Sequence, residues 1–309
     1  MTTISVDLGG SRVKAGVVEN GKVLEKTALP SHAEMGLARL LPLLEPILSD
    51  WRRRYPIEGL GLAFPSLVDP GRGEIVGACG KFDDWQNVGL HGWAREKFGL
   101  PLILENDANA AAIGEHAYGA AKGCGDFVLM ILGTGIGAAA MIDGRLIRGK
   151  HFQAGVLMGH IPLKAHGRKC IACGVGEGCA EAQASTWALS QIVRGSDLDS
   201  MLKTEPTVNF EVLKRYCDQG DPLARSIFEE CCEYWANLLI AMVCAYDPEL
   251  IVLSGGVLNW GEELTEKLRA EVLRRAFTPW GKLRFSIASD PEASVLLGLY
   301  ELVRLCASI

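Results

Sequence analysis

Apolar and polar positions divide the chain into short strands and helical stretches. Thr3 to Asp7 predicts a strand, and Gly9-Gly10 a sharp turn after it. Val13 to Val18 alternates as a second strand, and Lys22 to Leu29 follows the turn Asn20-Gly21 as a third. Ala33 to Tyr55 reads as helical, with Pro42 and Pro46 predicting a kink or a break. Gly59 to Phe64 predicts a strand running into Pro65-Ser66, and Gly71-Arg72-Gly73 a turn. Gly77 to Asn87 reads as a loop, Gly92 to Phe98 as a short helix, and Leu102 to Leu104 as a buried strand. Helix formers begin at Asp107.

After Gly119 to Gly123 the opening pattern returns. Phe127 to Leu132 is an apolar strand, Gly133-Thr134-Gly135-Ile136-Gly137 a turn, and Ala138 to Ile142 a strand. The turn Asp143-Gly144 and a strand from Arg145 to Ile147 follow. Strand, glycine and hydroxyl turn, strand, glycine turn, strand occurs twice, which suggests a duplicated domain. Helices are predicted over Ala180 to Val193, from Asp221-Pro222 through Tyr246, over Glu262 to Ala276 and over Pro291 to Ala307. Leu250 to Leu253 is a strand leading into Ser254-Gly255-Gly256-Val257.

The 309 residues suffice for two domains with sizeable cores. No apolar run approaches the ~20 residues that cross a bilayer, and Met1-Thr2-Thr3-Ile4 does not read as a signal peptide. A net charge of −6 argues against nucleic acid or an anionic membrane as partner. Ten cysteines without a secretion signal suggest reduced thiols in the cytoplasm.

Three places carry candidate chemistry. Asp107, at a strand-to-helix junction, reads either as a helix N-cap or as a catalytic carboxylate. Asp7-Leu8-Gly9-Gly10-Ser11, with Arg12 and Lys14 nearby, is either a tight hairpin or a phosphate loop of exposed backbone N–H groups. Its partner around Thr134 strengthens the second possibility. Third, Gly159-His160, Cys170-Ile171-Ala172-Cys173-Gly174 and Gly178-Cys179-Ala180-Glu181 fit a closed tetrahedral Cys3His zinc site. The other cysteines, Cys79, Cys124, Cys217, Cys231, Cys232, Cys244 and Cys306, read as core or surface fillers.

Together these segments, with Glu105-Asn106-Asp107-Ala108-Asn109 and Leu132-Gly133-Thr134-Gly135-Ile136-Gly137, resemble the ROK family (repressor, open reading frame, kinase) across the whole chain. The resemblance implies an α/β, two-domain actin-like ATPase (ribonuclease H-like) fold with a nucleotide and sugar cleft between domains. It implies a first domain over 1–119, joined by the final helix of about 292–309, and a second over 120–291 with a zinc loop at 159–181. It implies an ATP-dependent sugar kinase with Asp107 as general base. Asn106, Glu181, His160, Pro65 and Ser66 would meet the sugar. Asp7, Gly9, Gly10, Ser11, Arg12, Gly133, Thr134, Gly135, Gly137, Gly255 and Gly256 would meet ATP, with Mg²⁺ near Asp7. His160, Cys170, Cys173 and Cys179 would hold structural Zn²⁺. A homodimer is expected. A catalytically silent sugar-binding regulator, or a kinase for an amino sugar, polyol or cyclitol, is the alternative.

Three departures bear on the substrate. The family's sugar kinases usually read Gly-Glu-x-Gly-His before the zinc histidine, whereas this chain reads Gly155-Val156-Leu157-Met158-Gly159-His160. Losing one carboxylate–hydroxyl hydrogen bond removes roughly 1.5–3 kcal/mol, about ten- to a hundredfold in affinity. Each cysteine spacing is one residue longer than the commonest pattern. The family's Asn-Leu before its Trp is replaced by Lys81-Phe82-Asp83-Asp84-Trp85, which makes Asp83 and Asp84 candidates for the missing polar contact.

Overall fold

Two five-stranded sheets organise the chain in the computed structural model, which describes residues 1–77 and 80–307. Cys79 lies outside the described residues. The first sheet contains β1 (Thr2–Leu8), β2 (Arg12–Glu19), β3 (Lys22–Pro30), β4 (Ile57–Phe64) and, beyond a small hairpin of β5 (Leu67–Asp69) and β6 (Glu74–Gly77), β7 (Leu102–Asn106). Its order is β3-β2-β1-β4-β7, with β1 antiparallel to β2 and parallel to β4, and β4 parallel to β7. The second contains β8 (Phe127–Leu132), β9 (Ile136–Ile142), the two-residue β10 (Arg145–Leu146), β11 (Leu250–Ser254) and β12 (Arg284–Ile287). Its order, β10-β9-β8-β11-β12, repeats the first, again with a hairpin followed by parallel pairing of β8, β11 and β12. The repeated turn chemistry thus corresponds to a repeated topology.

The chain divides into two units. One comprises Met1–Gly125, Arg145–Val156 and the C-terminal segment from Ala288, and the other Asp126–Gly144 and Leu157–Ile287. In the first, Ile4, Val6 and Leu8 of β1 join one apolar core with helix α1 (Leu37–Arg54) and helix α2 (Leu90–Phe98). Helix α3 (Asp107–Tyr118) follows β7 directly.

Helix α1 is not broken at its prolines. Leu37, Leu40, Leu41, Leu44, Leu48 and Trp51 form its buried stripe, while Pro42 and Pro46 are both exposed. The carbonyls that lose a partner at each proline therefore lie on the water side, where solvent can bind them.

In the second unit the single helix predicted over Ala180 to Val193 is instead two, α4 (Ala180–Ala184) and α5 (Thr186–Arg194). Ser185 between them is extended, and the break redirects two donors. Thr186 Oγ1 donates to the Gly133 carbonyl at 2.7 Å, and the Trp187 N–H to the Thr134 carbonyl at 3.2 Å. Helix propensity carries no information about such a distant acceptor. Beyond α6 (Phe210–Asp218), helix α7 (Pro222–Tyr246) starts as expected, with Asp221 accepting from the Ala224 N–H at 2.8 Å and Pro222 at the first helical position. Helix α8 (Glu262–Arg275) precedes β12. The final helix, α9 (Pro291–Cys306), packs in the first unit on α3, β1 and β4. Gly59 and Gly61 of β4 admit it, since a Cβ at either would meet Val303 or Leu299 at 2.5–2.8 Å.

No helix among the described residues is long and apolar enough to cross a membrane.

Candidate active site and metal centre

In the first unit the candidate residues converge where β1 and β7 end. Asn106, not Asp107, caps α3: its Oδ1 accepts from the Asn109 N–H at 3.0 Å. Both of its amide hydrogens are also used, on the Ser66 carbonyl and on Asp107 Oδ1, each at 3.0 Å. Asp107 is therefore the first helical residue. Its Oδ1 also accepts from the Ala108 N–H at 2.8 Å, while Oδ2 makes no hydrogen bond to another described residue. Among the described residues the carboxylate is thus gripped through Oδ1 alone.

Glu105, one residue earlier, is fully buried and takes a bidentate pair from Arg148, at 2.9 Å to Oε1 and 2.6 Å to Oε2. Its Oε1 accepts further from the Asn106 N–H and Asn109 Nδ2. A fork–fork ion pair with two added donors fixes the strand end that carries Asn106 and Asp107. Sequence reasoning assigned no role to Arg148, which lies 43 residues from its partner.

Asp7 is buried across the sheet from Lys14. Burial, followed by repulsion from Asp107, raises its pKa to about 7, against the attraction of Lys14 and Lys81. Burial likewise raises Asp107, offset by Lys81, the Ala108 N–H and the Asn106 amide. Ser11 and Arg12 are exposed on the turn after Gly9-Gly10. Pro65 is half-buried and Ser66 buried. Asp83 is exposed, whereas Asp84 is committed: its two oxygens accept from the Leu37 and Ala38 N–H groups at 2.7 and 2.9 Å, at the start of α1.

In the second unit the turn after β8 is held by the Gly133 N–H to the Gly135 carbonyl at 3.0 Å and by the two α5 contacts above. A Cβ at Gly133 or Gly256 would meet nothing within 4 Å, so both glycines expose backbone to approach. Gly255 is required by its own geometry: φ is +101°, and a Cβ there would lie 2.2 Å from the Leu132 carbonyl. Glu181 accepts from the Ile136 N–H at 3.2 Å and from Trp187 Nε1 at 3.0 Å. It braces the strand that contains Gly137.

One nitrogen of His160 and the sulfurs of Cys170, Cys173 and Cys179 all lie within 4.8 Å of one another. The Gly176 N–H donates to Cys173 Sγ at 3.3 Å, and the Cys170 N–H to the Gly176 carbonyl at 2.8 Å. A Cβ at Gly176 would intrude 2.5 Å from Cys179 Sγ and 3.1 Å from Cys173 Sγ. The loop thus gathers three thiol sulfurs and one imidazole nitrogen, a donor set that suits a tetrahedral divalent ion. Of the filler thiols, Cys124, Cys217, Cys231 and Cys232 are buried, and Cys244 and Cys306 exposed.

The ROK family model matches residues 3–304. The chain belongs to the ROK family. It is 31% identical to the glucokinase of Thermotoga maritima over 278 residues, which cover 87% of this chain and 86% of that one. Among solved structures, the ROK hexokinase of Thermus thermophilus is 32% identical, with a TM-score of 0.79 over 98% of this chain and 99% of that one. A ROK family glucokinase of Streptomyces griseus, in complex with glucose and AMPPNP, is 27% identical with a TM-score of 0.83, over 99% of this chain and 100% of that one. The fold is therefore the actin-like ATPase fold of ROK sugar kinases.

Proposed function

We propose that this ROK protein is an ATP-dependent sugar kinase that phosphorylates the 6-hydroxyl of a hexose or hexose-like sugar, with Asp107 as general base. The observation that carries the reading is the Asp107 carboxylate, which accepts through Oδ1 while Oδ2 has no hydrogen-bond partner among the other described residues. Kinship with a glucokinase, a hexokinase and a glucokinase holding glucose and AMPPNP supports it. As the sugar oxygen bonds to the γ-phosphorus, its proton passes to Asp107 and the bond to the β–γ bridging oxygen breaks, releasing ADP. On this reading Ser11, Gly9, Gly10 and Arg12, and likewise Thr134, Gly133, Gly135 and Gly137, would bind phosphate, and Gly255 and Gly256 would flank the adenosine. Asp7 would hold Mg²⁺ through water, where the ion neutralises phosphate charge. The product of turnover tests the position: ³¹P NMR should show a triplet from coupling to the two C6 protons, and a doublet from an anomeric ester would reject it.

On the sugar side, Ser66 and Pro65 border Asn106, whose remaining carbonyl lone pair is available to a hydroxyl. Glu181 and His160 would take further hydroxyls, Glu181 through lone pairs beyond those that the Ile136 N–H and Trp187 Nε1 occupy. Asp84 is spent on α1, so Asp83 is the better candidate for a replacement polar contact. Half-buried Leu157 presents an apolar wall where the family's glutamate would stand. Leu157→Glu should improve kcat/KM for glucose about ten- to a hundredfold. Unchanged glucose kinetics would refute that account.

His160, Cys170, Cys173 and Cys179 would hold Zn²⁺, which stabilises the loop that carries His160 and Glu181. Metal analysis should give one zinc per chain, and chelation should lower Tm by roughly 5 °C or more. Full stability in the metal-free protein would reject the site. The reading also includes a cytoplasmic location, consistent with the free thiols, and a homodimer, which sedimentation at micromolar concentration should detect.

A further inference from the structure

We infer that Lys81 is a catalytic cation, placed to donate to the oxygens of the phosphoryl group during transfer. The inference rests on the kinase reading above and adds a residue to it. Lys81 stands in the run that departs from the family's usual Asn-Leu before Trp, so its charge belongs to this chain's own version of the site.

Its side chain is half-buried and lies over the first phosphate loop. A Cβ built on Gly10 would fall 2.9 Å from Lys81 Cε and 3.0 Å from Nζ. The glycine therefore leaves the space that the ammonium group enters. The backbone that delivers it is unusually constrained. Phe82, the next residue, is fully buried at a φ of +54°, a conformation costly for a bulky side chain. The strain is held from three directions. The Phe82 N–H donates to the Ala33 carbonyl at 3.0 Å, and its ring packs against Phe64 with centroids 6.1 Å apart. Asp84 grips the start of α1 through both oxygens. A turn anchored this firmly, with an unstrained alternative available to any solvent loop, fixes where Lys81 points.

A purely structural role would place Nζ on a carboxylate. Among the described residues Lys81 makes no ion pair within 4.0 Å, although its charge reaches both Asp7 and Asp107. It stands instead where an incoming polyanion meets the Gly9-Gly10 turn. There a fixed ammonium can gain strength as negative charge spreads over the equatorial phosphoryl oxygens, without itself losing a proton.

The test is Lys81→Gln beside Lys81→Arg. Lys81→Gln should lower kcat about 10²–10³-fold with the KM for sugar changed less than threefold, and Lys81→Arg should recover at least a tenth of wild-type kcat. A second measurement needs no turnover. With sugar present, aluminium fluoride should tighten MgADP binding to wild-type protein and fail to do so in Lys81→Gln, while MgADP alone binds both alike. A Lys81→Gln enzyme with kcat within twofold of wild type overturns the assignment. So does a loss of turnover that Arg does not restore, accompanied by a falling Tm, which marks a structural role. Wild-type protein silent in both assays would overturn the kinase reading and the Lys81 role together, so the two failures are distinguishable.

Discussion

Gly298→Ala is expected to destabilise the protein by about 3–5 kcal/mol, a fall in Tm of roughly 10 °C. Alanine ordinarily favours a helix over glycine by about 1 kcal/mol, so the expected sign is the reverse of propensity. The reason is the crossing of α3 and α9. A Cβ at Gly298 would lie 1.7 Å from the Ala110 carbonyl oxygen, and one at Gly114 would lie 2.0 Å from that of Ser294. Both obstacles are backbone, which cannot rotate away, so the helices must part. Parting them also strains a buried polar link. Glu115 accepts from the Ser294 hydroxyl and, at 2.6 Å, from the Ala120 N–H. Since Asp107 opens α3, the crossing also sets the position of the proposed base. Thermal unfolding checks the prediction, and a Tm equal to or above wild type would refute the packing account.

Asp107→Asn is expected to cost about 10²–10⁴-fold in turnover while leaving sugar affinity nearly unchanged. The amide keeps the shape and can still accept from Ala108, but it cannot take a proton. The same substitution should stabilise the fold in a pH-dependent way. Burial raises the pKa of Asp107 above its unfolded value, so the ionised form is disfavoured in the native state. That penalty is absent below the unfolded pKa, near 4, and grows as pH rises toward the folded value. Removing the charge also relieves Asp7, which Asp107 helps to push up to about 7. The variant should therefore melt a few degrees above wild type at pH 8 and close to it at pH 4. Equal melting at both, or greater stabilisation at pH 4, would contradict the electrostatic account. In the wild-type enzyme, kcat/KM should fall on the acid side as Asp107 takes its proton.

Much of the fold is visible in local chemistry. Glycine turns between apolar strands mark both sheets, and proline after aspartate marks the start of α7. The family is visible for the same reason, because its loops are short and contiguous. Four features escape such reading because their causes lie far away in sequence. The break at Ser185 serves carbonyls on the Gly133 turn. The prolines of α1 are harmless only because they face water, which depends on what α1 packs against. Asn106 takes the cap and frees Asp107, a choice between adjacent residues that spacing cannot make. Arg148 reaches Glu105 across 43 residues. Asp84 shows the converse, since its acidity and position suggest a ligand contact, yet it holds Leu37 and Ala38.

The most direct test of the central claim is ADP release from Mg-ATP across hexoses, amino and acetylated hexoses, ketoses and polyols, with Asp107→Asn protein as the blank. The account predicts turnover with at least one hexose-like sugar in the wild-type enzyme and its near-complete loss in the variant. Folded, zinc-loaded wild-type protein that releases no ADP above the blank with any of these sugars would contradict it.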